Sequence, residues 1–215
     1  MYLERVDLFA GLEAEALQRL RDGARMRVYP AGSIVVNQGD EGNGLYIVQS
    51  GRLKVFLMDE QGREVTLSLL GPGDYFGELA LIDDEPRSAS VMALERSELT
   101  QIARGTFHAL MEEQPSCRQR VMRNLAGQVR TLTESVRVMA LVDVFGRMSR
   151  LFETLAVERH GAMVIEQRLT QQDIANFVGA SREMVNRILR DLVTGGYISM
   201  EHQQIQLLKK LPARW

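Results

Sequence analysis

Between Tyr29 and Val91 the chain alternates short apolar runs with glycines, and this pattern leaves few folds open. The runs read SIVVNQ, LYIVQS, LKVFLM and EVTLSLL, and glycines stand at positions 32, 39, 42, 44, 51, 62, 71, 73 and 77. Strands this short need tight turns, and glycine supplies the positive φ values that such turns require. The segment predicts an antiparallel β-roll or jelly roll, with a hairpin loop at residues 59–62 and an amphipathic helix over residues 13–24 packed on it.

After Pro115 the sequence changes character and predicts one long helix, Pro115–Leu141, in which Gly127 is the only glycine. Apolar residues recur there at spacings of three and four, which approximate a heptad seam. The seam consists of Val121, Leu125, Val129, Leu132, Val136 and Met139. A helix with a single apolar stripe needs a partner, so we expect a dimer helix that pairs with a second copy of itself. Packing of the stripe on the chain's own β-roll is the alternative.

The region over residues 170–192 predicts two helices joined by a tight turn. Thr170 and Asp173 have the spacing of a capping box that begins a first helix, Gln171–Val178. Gly179 permits the turn, and Ser181 caps a second helix that runs to about residue 194, where two glycines end it. These features are typical of a DNA-binding helix-turn-helix. Two apolar runs on either side of EHQQ, in residues 197–208, predict a wing hairpin after it.

The second helix of this pair has one apolar and one polar face. Arginine matches the O6 and N7 acceptors of guanine, and glutamate accepts from the N4 amine of cytosine. We therefore expect Arg182, Glu183 and Arg187 to read bases, and Gln172 and Arg190 to contact phosphate. The full set predicted to touch DNA is Thr170, Gln172, Ser181, Arg182, Glu183, Asn186, Arg187 and Arg190.

A short segment, GELALIDDEPRSAS at residues 77–90, has the composition of a site for a ribose and a phosphate. A cyclic phosphodiester carries a negative charge, and Arg87 and Ser88 supply a cation and a hydrogen-bond donor. Gly77 lets the backbone approach a sugar closely. In the alternative interpretation, Arg87 and Glu78 form an internal ion pair that closes an ordinary loop.

Three stretches carry a resemblance to a known family: FGELALIDDEPRSASV, LVDVFGRM and LTQQDIANFVGASREMVNRILRDL. In this order and spacing they resemble the cyclic AMP receptor protein (CRP)/FNR family of bacterial regulators, over essentially the whole chain. The resemblance implies an α+β fold: an N-terminal cyclic-nucleotide-binding β-roll (jelly roll), a long dimerisation helix and a C-terminal winged helix-turn-helix. The corresponding domains are residues 1–115, 116–142 with the hinge at its end, and 143–215.

The resemblance also assigns an effector site. Gly77 and Glu78 would contact the ribose, and Arg87 and Ser88 the phosphate of a cyclic nucleotide, with Ala89 also in the ligand-binding set. In the members that respond to cyclic AMP, two adjacent hydroxyl residues on the dimer helix reach the adenine, whereas the positions here hold Leu132 and Thr133. The resemblance implies cyclic AMP as the expected effector. Because leucine favours the seam without a ligand, the alternative is raised ligand-free DNA affinity, or another nucleotide such as a cyclic dinucleotide.

The implied partners are double-stranded DNA, a second copy of the chain and RNA polymerase. The intact pattern S-R-E-x-V-x-R implies a palindrome of TGTGA half-sites, spaced about 34 Å apart so that two recognition helices enter successive major grooves. The charge distribution also favours DNA binding by the C-terminal part, since residues 1–143 carry a net charge of −5 and residues 144–215 a net charge of +3. A nucleotide-binding module whose C-terminal helices bind protein instead of DNA is the competing interpretation.

Other classes find little support in the sequence. No CxxC, HExxH or GxSxG motif occurs, so we expect no enzyme, no metal site and no covalent cofactor. The single cysteine, Cys117, excludes an internal disulfide and a multi-cysteine iron–sulfur cluster. Flanking arginines leave two interpretations of it, a low-pKa thiol or an inert side chain of the dimer helix. Neither a signal peptide nor a membrane segment is apparent, and a cytoplasmic protein is expected.

Overall fold

The computed structural model describes residues 3–201 and 204–212. The chain forms two compact units, Met1–Val129 and Arg130–Trp215. The division falls inside the long helix, so the two ends of that helix belong to different units. The domain limits implied by the resemblance, 1–115, 116–142 and 143–215, stay a prediction.

The first unit is the expected roll of antiparallel strands, preceded by short helices. Two 3₁₀ helices, Leu3–Arg5 and Asp7–Phe9, lead into α1 (Ala14–Asp22), which is slightly shorter than the predicted helix because Ala24 already begins the first strand. The strands are β1 (Ala24–Tyr29), β2 (Ile34–Val36), β3 (Gly44–Ser50), β4 (Leu53–Met58), β5 (Glu64–Leu70), β6 (Tyr75–Phe76), β7 (Ser90–Ala93) and β8 (Ser97–Ala103). They form two four-stranded sheets with the orders β1-β8-β3-β6 and β2-β7-β4-β5. The jelly-roll prediction is confirmed.

The predicted hairpin loop joins β4 and β5. The Asp59 carboxylate accepts from the backbone N–H of Gln61 at 3.0 Å and of Arg63 at 2.9 Å, and Gly62 takes a φ of +77°. An aspartate that binds the backbone ahead of a left-handed glycine is a typical turn arrangement, so the local sequence explains this loop.

Two helices follow the roll and one of them is very long. Between β6 and β7 lies the short α2 (Leu79–Ile82), and α3 (Arg104–Glu113) precedes α4 (Pro115–Leu141), whose limits match the prediction. The first turns of α4 pack on the roll, where Cys117 and Val121 are 1% and 4% exposed.

The apolar seam of α4 therefore has two parts, one that packs on the core of the first unit and one that is exposed. Val121 lies in the core of its own unit and Leu125 packs against the same cluster, which corrects the prediction that Val121 faces a second chain. The four later seam residues are exposed, at 62%, 49%, 67% and 42%: Val129, Leu132, Val136 and Met139. Exposed apolar side chains at spacings of three and four are suited to pairing with another helix, so the dimer prediction rests on these four.

The second unit contains the helix-turn-helix and a small sheet. Its elements are α5 (Val144–Leu155), β9 (Ala156–Arg159), β10 (Ala162–Ile165), α6 (Gln171–Val178), α7 (Arg182–Thr194), β11 (Ile198–Glu201) and β12 (Gln204–Leu207). The sheet has the order β11-β12-β10-β9. The sequence predicts α5 to about Arg159, which is wrong, because positive φ values at His160 and Gly161 turn the chain into a hairpin instead. Phe145, Met148 and Phe152 of α5 pack against both helices of the pair in one buried cluster.

Candidate functional site

The predicted effector segment folds around the side chain of Arg87, which is only 4% exposed. Its Nη1 donates to the carbonyl oxygen of Gly77 at 2.7 Å, and its Nη2 donates to that of Gly44 at 2.8 Å. The backbone of Arg87 is paired as well, since its N–H donates to Asp40 at 2.8 Å and its carbonyl accepts from Gly39 at 2.9 Å. Arg87 therefore joins the segment after β6 to the loop before β3.

Asn43 completes this junction. Its Oδ1 accepts from Gln101 Nε2 at 3.2 Å, from the Tyr46 hydroxyl at 3.3 Å and, at 3.5 Å, from Arg87. Tyr46 also lies under the guanidinium, 5.6 Å from ring centroid to Cζ, and stacks on Phe76. Nothing in the sequence marks Asn43 or Tyr46 as part of the site, because each reads as an ordinary loop or strand residue.

The guanidinium still has hydrogen-bonding capacity after these contacts. Arginine carries five N–H donors, and the Nε of Arg87 is buried with no hydrogen-bond partner among the described residues. Burial lowers the pKa of Arg87, yet arginine keeps its charge in proteins. A buried cation with a spare donor fits an anionic group such as a phosphodiester.

Glu78 is the second buried charge of the segment, 3% exposed. Its Oε1 accepts from Gln128 Nε2 of α4 at 3.1 Å, and the same amide donates to Asn124 at 2.7 Å. Burial raises the pKa of Glu78, while its own backbone N–H, Gln128 and Arg87 act in the opposite direction. Sequence reasoning missed Gln128, which lies off the apolar seam and has no motif around it.

Arg87 and Glu78 are close enough to influence each other's pKa, yet no salt bridge joins them. Arg87 donates to backbone carbonyls, and Glu78 accepts from an amide. The alternative in which these two side chains form a closed internal ion pair therefore fails. Burying two oppositely charged groups without a salt bridge between them lowers the stability of the fold. Such an arrangement is common at sites where a ligand provides the missing partner.

Gly77 is required here for a reason that the sequence does not reveal. Its φ is +89°, and a β-carbon at this position would collide with the Arg87 guanidinium. Glycine thus lets the arginine reach the Gly77 carbonyl, in addition to permitting the left-handed backbone.

The remaining predicted effector residues are only partly assembled. Ser88 is exposed and Ala89 half-buried, directly after Arg87. Leu132 and Thr133 are exposed on α4 in the other compact unit. Their approach to a nucleotide stays a prediction.

The helix-turn-helix has the predicted caps. Thr170 Oγ1 accepts from the backbone of Asp173 at 3.1 Å, and the Asp173 carboxylate accepts from the backbone of Thr170 at 2.8 Å, so the capping box is complete. Gly179 has a φ of +60° in the turn. Ser181 then accepts from the Met184 N–H at 3.2 Å and caps α7.

The polar face of α7 is exposed as predicted, because its other face packs in the core. Val185, Ile188, Leu189 and Leu192 are buried. Arg182, Glu183, Arg187 and Arg190 are exposed, and Asn186 is half-buried. A hollow of about 500 Å³ on this face is lined by Ser181, Glu183, Met184, Arg187, Arg190 and Asp191.

Individual side chains of this face are held by neighbours. Arg187 Nη2 contacts the sulfur of Met184 at 2.8 Å, and Arg190 Nε donates to Asn186 at 3.3 Å. The pKa of Glu183 is lowered, chiefly by its own backbone N–H at the helix start and then by Ser181, so it is charged at neutral pH. On α6, the exposed Gln172 donates to Asn176 at 2.8 Å.

The wing is present as the antiparallel pair β11 and β12. Its tip, at positions 202 and 203, lies outside the described residues. The prediction of a hairpin after the second helix is confirmed for the two strands.

Cys117 is an inert side chain in this structure. Its thiol is buried and donates to the Leu8 carbonyl at 3.3 Å, and burial raises its pKa. The low-pKa interpretation is therefore wrong. Within residues 3–201 and 204–212, no cluster of three or more His, Cys, Asp or Glu side chains is arranged to hold a metal ion. Every helix in the described part of the chain is too short or too polar to cross a bilayer.

Two family models match the chain, one in each compact unit. The cyclic nucleotide-binding domain matches residues 26–114, and the Crp-like helix-turn-helix domain matches residues 146–211. The fold and the two sites together define a DNA-binding transcriptional regulator with an N-terminal cyclic-nucleotide-binding domain.

Relatives extend this match over nearly the full length. The chain is 31% identical over 207 residues to the CRP-like cAMP-activated global transcriptional regulator of Mycobacterium tuberculosis, covering 94% of this chain and 92% of that protein. It is 34% identical over 182 residues to the cAMP-activated global transcriptional regulator CRP of Salmonella typhimurium, covering 82% and 86%. The chain belongs to the CRP/FNR family.

A solved structure has the same fold. The c-di-GMP responsive global regulator CLP of Xanthomonas campestris superposes with a TM-score of 0.81 at 25% identity, covering 92% of this chain and all of that one. Relatives of this fold are thus named for cyclic AMP and for a cyclic dinucleotide.

Proposed function

We propose that this chain is a homodimeric transcriptional regulator whose affinity for DNA is controlled by a cyclic nucleotide, with cyclic AMP the favoured effector. The phosphate would be held by Arg87 and the ribose by Glu78, beside Gly77. The observation that carries the proposal is the pair of buried, opposite charges, Arg87 and Glu78, which are not joined to each other. An anionic ligand with a sugar hydroxyl satisfies both.

The proposed DNA target is a two-fold palindrome of TGTGA half-sites. The exposed face of α7 supports it, because Arg182 and Arg187 are suited to guanine and Glu183 to cytosine. The four exposed seam residues of α4 support a dimer, which would present two copies of α7 about 34 Å apart. At promoters we propose RNA polymerase as the further partner, as the family resemblance implies.

One observation on α4 supports two alternatives, namely that the effector is a cyclic dinucleotide, or that the chain acts without an effector. Leu132, at the position implied to meet the adenine, is an exposed apolar side chain among the seam residues. Leucine there stabilises a helix pair more than it binds a base. This alternative predicts strong operator binding without cyclic AMP, or binding that only cyclic di-GMP increases.

The test uses the purified full chain, titrated calorimetrically with cyclic AMP, cyclic GMP and cyclic di-GMP. Operator binding is measured by fluorescence anisotropy with a TGTGA palindrome and a scrambled duplex, with and without each nucleotide. Cyclic AMP is expected to bind and to increase palindrome binding selectively. A monomeric chain without preference between the duplexes under any of the three nucleotides would overturn the proposal.

Two variants separate the sites. Arg87→Ala removes charged hydrogen bonds, each of about 1.5–3 kcal/mol, so effector affinity should fall roughly tenfold or more, while the exposed control Arg63→Ala leaves it unchanged. Arg187→Ala should keep effector binding and lose about 1–3 kcal/mol of base discrimination. Arg187→Lys keeps the charge but not the two-pronged geometry, so it should retain binding to scrambled DNA only. A protein-binding module would show no effect of Arg182→Ala on duplex choice.

A further inference from the structure

We propose that Arg147 is the positioning residue that fixes the last turn of α4 to the turn of the helix-turn-helix, since its one guanidinium reaches the backbone of both. The inference rests on the proposed function, because it says how an orientation of α4 is passed to the recognition helix α7. All of the contacts lie within the second compact unit. Nothing in the sequence assigns a role to this residue.

The first set of contacts is at the end of α4. Arg147 Nη1 donates to the carbonyls of Met139 and Val142, each at 3.0 Å. The last carbonyls of a helix have no partner within the helix, and they carry the negative end of its dipole. A guanidinium is well matched to them, so Arg147 acts as a cap supplied by the next helix, α5.

The second contact is at the turn between α6 and α7. Arg147 Nη2 lies 3.5 Å from the carbonyl oxygen of Gly179, the left-handed residue of that turn. Ser181, two residues on, caps α7. The position of the Gly179 carbonyl is thus tied to the start of the recognition helix.

The Arg147 side chain is half-buried, so it is more than a surface group that happens to reach these atoms. Its Nε is buried without a hydrogen-bond partner among the described residues. The adjoining backbone is equally close, because a β-carbon on Gly146 would lie 2.6 Å from Val142 Cγ1. Asp143 caps α5 by accepting from the Gly146 N–H at 2.7 Å. The joint from α4 to α5 is therefore tightly packed around Arg147.

A neighbouring ion pair provides the matched control. Arg150, one turn further along α5, pairs with Glu134 of α4 at 3.2 Å, and Glu134 also pairs with Arg137. The Arg150 and Glu134 side chains are about half exposed, at 50% and 52%, so this pair adds little to stability. Arg150→Met removes the same charge from the same helix without touching the helix-turn-helix.

The experiment compares the full-length wild type with Arg147→Met, Arg147→Lys and Arg150→Met. Hydrogen exchange is followed in the free protein at the turn amides, including Ala180, whose N–H donates to Ala175 at 3.1 Å. Arg147→Met should speed exchange there and at the end of α4, Arg147→Lys should do so partly, and Arg150→Met should not. Unchanged exchange at the turn in Arg147→Met would overturn the proposal, whether or not the protein binds an operator.

Operator binding then tests the consequence. With saturating nucleotide, Arg147→Met should weaken palindrome binding on the order of tenfold, while leaving nucleotide affinity and scrambled-duplex affinity as in Arg150→Met. Equal losses on both duplexes would mean that Arg147 only stabilises the fold, and would also overturn the proposal. If exchange at the turn changes as stated but the wild type has no operator preference, the joint stands and the proposed function fails.

Discussion

Replacing Gly77 by alanine tests the geometry around Arg87 directly. A residue with a β-carbon at a φ of +89° is strained by about 1–2 kcal/mol. In addition, the new methyl group would collide with the Arg87 guanidinium and displace it from the Gly77 carbonyl. A hydrogen bond to a charged group contributes about 1.5–3 kcal/mol, so the free energy of unfolding should fall by about 2.5–5 kcal/mol in all.

Gly62 offers a matched control within the same roll. Its φ is +77°, but nothing lies within 4 Å of the position that a β-carbon would take. Gly62→Ala should therefore show the backbone strain alone, about 1–2 kcal/mol. The difference between the two variants, roughly 2 kcal/mol, measures the anchoring of Arg87.

Scanning calorimetry of the full chain measures both variants, with attention to the transition of the first unit. Calorimetric titration with cyclic AMP provides a second readout, in which Gly77→Ala should lose effector affinity and Gly62→Ala should keep it. Equal destabilisation by the two substitutions, with effector affinity intact in both, would refute the role assigned to Gly77.

Two further predictions concern Glu78 and Ser181. Burial raises the folded-state pKa of Glu78 above its ordinary value near 4.5, so its favourable contribution to stability is complete below that pH and is lost as pH rises through the folded pKa. The melting temperature of Glu78→Gln relative to that of the wild type, measured by thermal shift, should therefore rise with pH. A difference in melting temperature that does not change with pH would contradict this sign. Ser181→Ala removes the cap of α7 and should lower the stability of the second unit by about 1 kcal/mol in urea unfolding, whereas an unchanged midpoint would show that the Ser181–Met184 contact contributes nothing.

Much of the fold follows from local signals in the sequence. The capping pair Thr170 and Asp173, the left-handed Gly179 and the apolar stripe of α7 specify the helix-turn-helix, because each acts within a few residues. The end of α5 was harder to predict, since Val157 continues an apolar pattern and only the turn at His160 and Gly161 reverses the chain.

The candidate site divides in the same way. Gly77, Glu78 and Arg87 lie in one short segment, so their shared site could be predicted. Asn43 and Gln128 come to it from distant parts of the chain, and a single sequence carries no signal for such contacts. Val121 shows the limit of periodicity, because a heptad pattern does not say whether a stripe faces another helix or the chain's own core.

The enclosure of Cys117 has a practical consequence for spectroscopy. It is the only thiol in the chain, and maleimides react with exposed thiolates rather than with buried, protonated ones. A cysteine introduced at the exposed Thr194 could accordingly be labelled with a fluorophore in the folded protein, without first removing the natural one. In the proposed dimer, distance measurements between such labels on the two copies would then follow the spacing of the recognition helices as nucleotide is added.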